Sequence, residues 1–174
     1  CFDELGALAD AFNRPQARLS EGQKLAPFVH AMMDISDGLL IDAERMATAS
    51  RLGIEIDLAS IPLSPAYVSY RTDSLESRMQ AASWGDDYEL LFCAPADARI
   101  AVEATAVGRV IAGGGLTLCS GDERVKLPPT LGYQHHGPKW RKWRRLRVAM
   151  SDDAALYPYG LQFSGGEWQQ ELFL

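Results

Sequence analysis

The sequence predicts a domain of alternating helices and strands around a mixed β-sheet, in the α/β or α+β class. Helical and strand patterns follow one another along residues 1–137 without an internal repeat. The 174 residues suffice for one ordinary domain or at most two small ones. Apolar residues make up 47% and charged residues 23% of the chain, which is typical of a folded globular protein.

The first elements are predicted to be helices. Apolar residues recur at helical spacing over residues 1–13, and Pro15 ends this helix because the residue before a proline avoids the helical region. A second helix is expected to begin at Ser20, which stands in capping-box register with Gln23. Pro27 predicts a break or a late start within it.

A short strand and a third helix are predicted next. Residues 31–35 form an apolar run typical of a buried strand, and the pattern changes to helical spacing at Ser36–Gly38. Gly53 is the expected stop of that helix. Apolar and acidic residues alternate over residues 54–58, which predicts a half-buried strand.

The rest of the domain is predicted to be mainly strands. Two prolines bracket a loop at residues 62–65, and a helix is expected over residues 74–83. A strand is predicted through residues 88–92. Residues 107–119 are interpreted as a β-hairpin with a turn of three glycines, and residues 125–127 as a last short strand.

The charge of the chain argues against a general nucleic-acid binder, because the formal net charge is 17 − 23 = −6. Residues 138–147 nevertheless carry six basic and no acidic side chains. A solvated run is the favoured interpretation of this segment, and the alternatives are contact with a membrane surface or with an acidic partner. We therefore expect a domain over residues 1–137 and a basic tail of unknown structure over residues 138–174.

The cysteines and the hydropathy favour a cytoplasmic protein. Cys1, Cys93 and Cys119 are too few and too scattered for a disulfide framework or a CxxC metal site. No apolar run reaches the roughly 18–20 residues that cross a bilayer, and no signal peptide is recognised. The chain starts at Cys1 without an initiator Met, so we expect it to be part of something longer.

The densest polar constellation is Asp34-Ile35-Ser36-Asp37-Gly38, where a strand gives way to a helix. Two carboxylates three residues apart can converge on Mg²⁺, which prefers oxygen ligands. The helix N-terminus and Ser36 could bind a phosphate, and Gly38 would let that phosphate approach closely. The alternative is structural, with Ser36 or Asp37 as a helix N-cap and Asp34 as an exposed acid.

Two further constellations carry polar side chains. Residues 84–89 combine three acids and two aromatics after a glycine turn, which suits a flat cationic ligand, or else form a solvated turn. His135 and His136 are adjacent and therefore point in different directions. With no third ligand at useful spacing, a polar loop is favoured there over a metal site.

These pieces, in this order, resemble the C-terminal half of thiamine-monophosphate kinase. About 120 residues are covered, and the two acidic stretches are specific only together. The matching segments are Arg14–Pro15 with Arg18 and Gly22, Met33–Leu40, Ile56–Leu58, Ile61–Ser64, Gly85–Phe92, Gly108–Val110, Gly115–Leu118 and Gly132–Tyr133.

The resemblance implies an α+β fold, a three-layer α/β/α C-terminal domain with a mixed sheet, shared with aminoimidazole-ribonucleotide synthetase and selenophosphate synthetase. It also implies an enzyme that transfers the γ-phosphoryl group of ATP to thiamine monophosphate, with Mg²⁺. By resemblance, Asp34 and Asp37 are Mg²⁺ ligands and Ser36 contacts ATP. Asp86 and Tyr133 bind the substrate, and no residue of the chain is assigned a catalytic role.

The sequence departs from the family's pattern in three places. The family's N-terminal domain, which forms its homodimer and holds most ATP and Mg²⁺ ligands, has no counterpart in these residues, so we expect the chain alone to be inactive. Asp86 and Trp84 stand where the family usually has Glu and Gly, which puts substrate identity in doubt. The segment from Pro95 to Gly108 is shorter than usual. Two alternatives therefore stay open, a non-catalytic binding module or another member of the superfamily.

Overall fold

The computed structural model describes residues 2–134 and 170–174, and seven strands found among these residues form one sheet. In chain order the strands are β1 (Ala31–Asp34), β2 (Gly53–Asp57), β3 (Leu90–Pro95), β4 (Ala106–Ile111), β5 (Gly115–Ser120), β6 (Glu123–Val125) and β7 (Gln170–Phe173). Across the sheet they lie in the order β1-β3-β7-β4-β2-β5-β6. All neighbours are antiparallel except β2 and β5, which are parallel, so the sheet is mixed.

Helices cover both faces of this sheet. They are α1 (Phe2–Asn13), α2 (Leu19–Leu25), α3 (Leu39–Ser50), α4 (Pro65–Arg71) and α5 (Leu75–Ser83), with a 3₁₀ turn at Leu58–Ser60. Side chains of a strand alternate between its two faces. In β3, Leu91 and Cys93 accordingly join the main core with α3 and α5, whereas Phe92 and Ala94 pack with Leu25 of α2 on the other face. The predicted α+β class with a three-layer arrangement is confirmed.

The β-hairpin predicted over residues 107–119 is wrong. β4 and β5 do not pair with each other, because β2 lies between them and bonds to both. Ile54 of β2 faces Val110 in the antiparallel pair and Leu116 in the parallel pair. Gly113 and Gly114, with Gly115 at the start of β5, therefore lead the chain past the end of β2 instead of forming a tight turn.

The last residues of the chain supply a central strand that the sequence does not predict. β7 is antiparallel to β3 on one side and to β4 on the other. Its Leu172 is fully buried in the main core, and Phe173 stacks on Phe92 with ring centroids 5.2 Å apart. The division of the chain at residue 137 stays a prediction, because residues 135–169, with the histidine pair and the basic run, lie outside the described residues.

Two predicted helix boundaries are wrong. Arg18, not Ser20, holds the N-cap position of α2, and the Ser20 hydroxyl bonds Glu21 at 2.9 Å instead. α3 ends at Ser50, with Arg51 as its C-cap in the left-handed conformation (φ 57°), so Gly53 is not its stop and instead begins β2. The loop predicted between Pro62 and Pro65 is confirmed, but the helix that begins at Pro65 was not predicted, although proline is well suited to the first helical turn.

The break at Pro27 is confirmed, because α2 ends at Leu25. The helix predicted over residues 74–83 is also confirmed, with the Ser74 hydroxyl accepting the Ser77 N–H as an N-cap. Within residues 2–134 and 170–174, no helix is long and apolar enough to cross a membrane.

Candidate functional site

The candidate site lies where β1 ends and β3 begins. These two strands are antiparallel, and Asp34 at the end of β1 faces Leu90 at the start of β3. The connection that leaves β1 towards α3 and the connection that enters β3 from α5 therefore meet at the same end of this strand pair. The two acidic constellations of the sequence lie on these two connections.

Backbone hydrogen bonds join the two connections directly. The Ile35 N–H donates to the Glu89 carbonyl at 2.9 Å, and the Tyr88 N–H donates to the Ile35 carbonyl at 2.8 Å. The Asp86 N–H donates to the Ser36 carbonyl at 2.9 Å. Residues 84–89, here called the acidic loop, are thus held against the turn at Ser36–Gly38 that precedes α3.

A third segment completes the site from the far end of the domain. The Tyr133 N–H donates to the Asp37 carbonyl at 2.8 Å, although 96 positions separate the two residues. The structure therefore brings together the backbones of all five residues that the family resemblance assigns to ligands: Asp34, Ser36, Asp37, Asp86 and Tyr133.

Close approach of the three segments depends on glycine. Gly38 has φ +122°, and a Cβ there would lie 2.9 Å from the carbonyl oxygen of Ser83. Gly85 and Gly132 both pack on the Ser36–Asp37 turn, where a Cβ on either would overlap a carbonyl oxygen. Any side chain at these positions would push the segments apart. The sequence offers these glycines as a signal, but not the contacts that require them.

The acidic loop has a strained backbone. Asp86 and Tyr88 adopt positive φ angles of 68° and 54°, which are unfavourable for residues with a Cβ. The predicted strand accordingly begins at Leu90 and not at Tyr88. The Tyr88 hydroxyl donates to the Asp86 carboxylate at 3.3 Å. Strain of this kind is found at ligand-binding loops, where the surrounding structure maintains it.

Asp34 and Asp37 offer oxygen donors of the kind that Mg²⁺ prefers. Asp34 is exposed, and its carboxylate forms no hydrogen bond or ion pair within the described residues. Asp37 is held by Arg45, whose Nη1 lies 2.6 Å from Oδ2. No group of three His, Cys, Asp or Glu residues in the described part of the chain is arranged to hold a metal ion. The pair fits Mg²⁺ in chemistry, provided that phosphate and water oxygens complete the coordination.

Asp42 is a site residue that the sequence analysis missed. It lies in the first turn of α3 with 0% of its surface exposed. Its Oδ2 accepts the N–H groups of Ser36 at 3.0 Å and Asp37 at 3.1 Å, and its Oδ1 accepts Arg45 at 2.6 Å. The only sequence signal is an acid between Ile41 and Ala43, on the helix face that is otherwise apolar.

Electrostatic repulsion is concentrated in the acidic loop. Desolvation, followed by the charges of Glu89 and Asp86, raises the pKa of Asp87 to about 6. The Asp87 residue as a whole is exposed, so this desolvation is partial and the carboxylate does not lie in the core. The negative charge of Asp86 likewise raises the pKa of Tyr88, with smaller contributions from its hydrogen bond and from Asp34 and Asp37. A cation would relieve this repulsion.

Arg18 binds the last residue of the acidic loop, Glu89. Arg18 binds Glu89 in a two-pronged pair, with Nε 2.8 Å from Oε2 and Nη2 2.6 Å from Oε1. This geometry is the strongest that an arginine makes with a carboxylate. The pair joins the start of α2 to the residue before β3, which the sequence analysis did not foresee.

Exposed aromatic rings accompany the acids. Trp84, Tyr88 and Tyr133 have 47%, 39% and 60% of their surfaces exposed. Trp84 also packs edge-on against the buried Tyr67, with ring centroids 6.1 Å apart. Exposed rings next to carboxylates are suited to a flat, positively charged ligand, because the ring faces and the carboxylates both attract positive charge.

Comparison with known proteins places this chain in a family. The model for the C-terminal domain of AIR synthase related protein matches residues 6–119. A thiamine-monophosphate kinase from Rhodopirellula baltica is 38% identical over 121 residues, which cover 64% of this chain and 38% of the relative.

Solved structures of thiamine-monophosphate kinases are also similar to this chain. Thiamine monophosphate kinase from Aquifex aeolicus gives a TM-score of 0.62 at 31% identity, over 71% of this chain and 42% of that one. The protein AaThiL complexed with AMPPCP and TMP gives a TM-score of 0.61 at 32% identity, over 74% of this chain and 41% of that one. The chain spans about two fifths of the length of the relatives that it matches.

Proposed function

The chain belongs to the AIR synthase related family through that family's C-terminal domain, and we propose that it carries the substrate side of an ATP-dependent thiamine-monophosphate kinase. One observation carries the proposal. The acidic loop with its aromatic rings is hydrogen-bonded to the turn that bears Asp34, Ser36 and Asp37. A cationic ring bound by the loop would therefore lie next to a phosphate bound at the turn.

On the nucleotide side, the turn offers groups for phosphate and for a cation. The Ser36 hydroxyl has no hydrogen-bond partner within the described residues, so it is available to a phosphate oxygen. Asp34 and Asp37 would hold Mg²⁺, which neutralises phosphate charge when it is bound. The solved relative AaThiL was complexed with AMPPCP, which supports a nucleotide here.

On the substrate side, Asp86 and Tyr133 would bind thiamine monophosphate. The thiazolium ring of thiamine carries a permanent positive charge, which the carboxylates of Asp86 and Asp87 attract. The flat rings of the substrate can stack on Tyr133 or Trp84. Asp86 is shorter than the family's Glu by one methylene, so the ligand would have to lie closer to the loop backbone.

The proposed reaction needs little acid or base chemistry from the protein. A phosphate oxygen of thiamine monophosphate, already anionic, bonds to the γ-phosphorus of ATP, and the bond from that phosphorus to the β,γ-bridging oxygen breaks, which leaves ADP. Positioning and charge neutralisation supply most of the catalysis in such transfers. This is consistent with a site that contains carboxylates, a hydroxyl and backbone N–H groups.

A non-catalytic binding module is the second candidate, and the Arg45–Asp37 ion pair favours it. In the structure this pair occupies one oxygen of the Asp37 carboxylate, which the proposed kinase would use for Mg²⁺. A different substrate within the same superfamily is a further alternative, raised by Asp86 and Trp84. The cytoplasmic location and a homodimer of the whole protein stay predictions, as does the absence of nucleic-acid or membrane partners.

Calorimetric titration with thiamine monophosphate tests the substrate side. We expect the chain to bind this ligand, and Asp86→Ala and Tyr133→Ala each to weaken binding at least about tenfold, because each loses a direct contact with a desolvated ligand. Matched controls are Asp122→Ala, an exposed acid in the β5–β6 turn, and Tyr70→Ala, an exposed ring on α4. Equal effects of site and control variants would contradict the proposal.

A further inference from the structure

The buried acid Asp42 holds the turn between β1 and α3 in place, and it is not itself assigned as a ligand of the cation or the phosphate. Asp42 is fully buried, and its Oδ2 binds two consecutive backbone N–H groups, those of Ser36 and Asp37. These bonds fix the direction in which the Asp37 backbone runs. A buried carboxylate requires a compensating positive charge as well as hydrogen bonds.

Arg45 supplies this charge and shares it with Asp37. One nitrogen, Nη1, donates both of its hydrogens: one to Asp42 Oδ1 and one to Asp37 Oδ2, each at 2.6 Å. Partial burial alone would lower the pKa of Arg45, but the hydrogen bonds to the two carboxylates outweigh it, and the pKa is raised. The side chain is 44% exposed, and its other N–H groups have no acceptor within the described residues.

The two ion pairs of Arg45 differ in environment. Asp42 is fully buried, so losing its partner would leave an uncompensated charge in the core. Asp37 has 16% of its side chain exposed and borders solvent, where water or a cation can replace an arginine at lower cost. Of the two bonds, the one to Asp37 is therefore the one that can be exchanged.

We infer that Arg45, anchored by the buried Asp42, is the resident counter-ion of Asp37 and yields this carboxylate when a divalent cation binds. Before binding, Arg45 keeps Asp37 ordered and balanced in charge. On binding, Asp37 Oδ2 would pass from Arg45 to the cation, and Arg45 would remain on Asp42. Asp42 and Arg45 are thus positioning residues, and Arg45 lowers the affinity for the cation. The inference rests on the proposed function, because it takes Asp37 as a cation ligand.

The first test is calorimetric titration of the full chain with Mn²⁺ alone. Arg45→Gln removes the competing charge, and we expect the affinity for Mn²⁺ to rise about threefold to tenfold, the size expected for one charge at this range in partly screened surroundings. Asp42→Asn leaves Arg45 with Asp37 as its one carboxylate partner, and the affinity is expected to fall. Arg109→Gln is the matched control, since Arg109 makes a surface pair with Glu55 on β2 and β4.

The second test observes the exchange itself. In ¹⁵N NMR spectra of arginine side chains, the Arg45 guanidinium signals are expected to shift on addition of Mg²⁺ and to be unaffected by Mg²⁺ in Asp37→Asn. Far-ultraviolet circular dichroism and the melting temperature check that each variant is folded.

Several outcomes would overturn the inference. It fails if Arg45→Gln binds Mn²⁺ no more tightly than the unmodified chain, whether both bind it or neither does. It also fails if Arg109→Gln has the same effect, because the gain would then reflect net charge. Failure here leaves thiamine monophosphate binding at Asp86 and Tyr133 untouched, so the two proposals are tested separately.

Discussion

At the scale of single residues, two arginines pair with carboxylates of the site. Arg18 neutralises Glu89, and Arg45 neutralises Asp37 and Asp42. Asp87 has no such partner among the described residues, and its pKa is raised to about 6, mainly by desolvation. The ionised form of Asp87 is therefore disfavoured in the folded chain, by an amount that solvent reduces because the residue is exposed.

Asp87 makes the stability of the domain depend on pH. Since the pKa is about 6 in the folded chain and about 3.8 as the ordinary value, the folded state binds the proton more tightly. The contribution of protonated Asp87 to the free energy of unfolding is present at low pH. It is lost as the pH rises from about 4 through 6. We expect Asp87→Asn to raise the melting temperature at pH 7.5 and to leave it unchanged near pH 4.

Scanning calorimetry at both pH values measures this effect. Asp97→Asn, which alters an exposed acid after β3, is the matched control and is expected to show little pH-dependent difference. A melting temperature for Asp87→Asn that differs from the unmodified chain by the same amount at both pH values would contradict the assignment.

At the scale of elements, the C-terminal strand β7 holds the two parts of the sheet together. β3 and β4 pair with β7 but not with each other, so β7 joins the β1–β3 pair, which bears the site, to the strands on the other side. Thr105 and Leu174 exchange two backbone hydrogen bonds of 2.9 Å at its end. Without β7, two strand edges would lose their hydrogen-bond partners in the middle of the sheet.

Leu172 is the side chain through which β7 enters the core. Because Leu172 is fully buried, Leu172→Ala removes apolar contacts and leaves a cavity, and we expect the free energy of unfolding to fall by about 2–5 kcal/mol. Urea denaturation measures this. Leu19→Ala, at a leucine that is 74% exposed, is the control and should change stability by less than about 0.5 kcal/mol. Equal stability of the two variants would show that β7 is not part of the cooperative fold.

At the scale of the whole molecule, these 174 residues correspond to about two fifths of a thiamine-monophosphate kinase relative. We expect this polypeptide by itself to form no thiamine diphosphate. Co-expression with the N-terminal part of the Rhodopirellula baltica relative is expected to restore Mg²⁺-dependent turnover. In the same assay Asp34→Ala should abolish the restored activity, because it removes a carboxylate assigned to Mg²⁺.

The controls of this experiment separate the two candidate functions. Asp122→Ala, an exposed acid beside β6 at the opposite end of the strand order from β1, should retain the restored activity. If the co-expressed parts associate and bind thiamine monophosphate but transfer no phosphoryl group, the binding module is the better description. Measuring product by chromatography together with association by gel filtration distinguishes this result from a failure to assemble.

The sequence by itself determined the local elements and the two acidic constellations. Helical spacing located α1 and α3, and the apolar runs located β1 and β3, because periodicity reports which face of a segment will be buried. The order of polar and glycine residues from Asp34 to Tyr133 was enough to indicate the family. These features depend only on neighbours along the chain.

Only the tertiary structure decided how these pieces combine. The insertion of β2 between β4 and β5, and of β7 between β3 and β4, could not be predicted, because the pattern of a strand does not specify its partners. Nor could the roles of Asp42 and Arg45, since a buried acid becomes part of a site only when folding brings the backbone N–H groups of Ser36 and Asp37 to it. Local periodicity fixes burial within a segment, whereas hydrogen bonds between distant segments build the site.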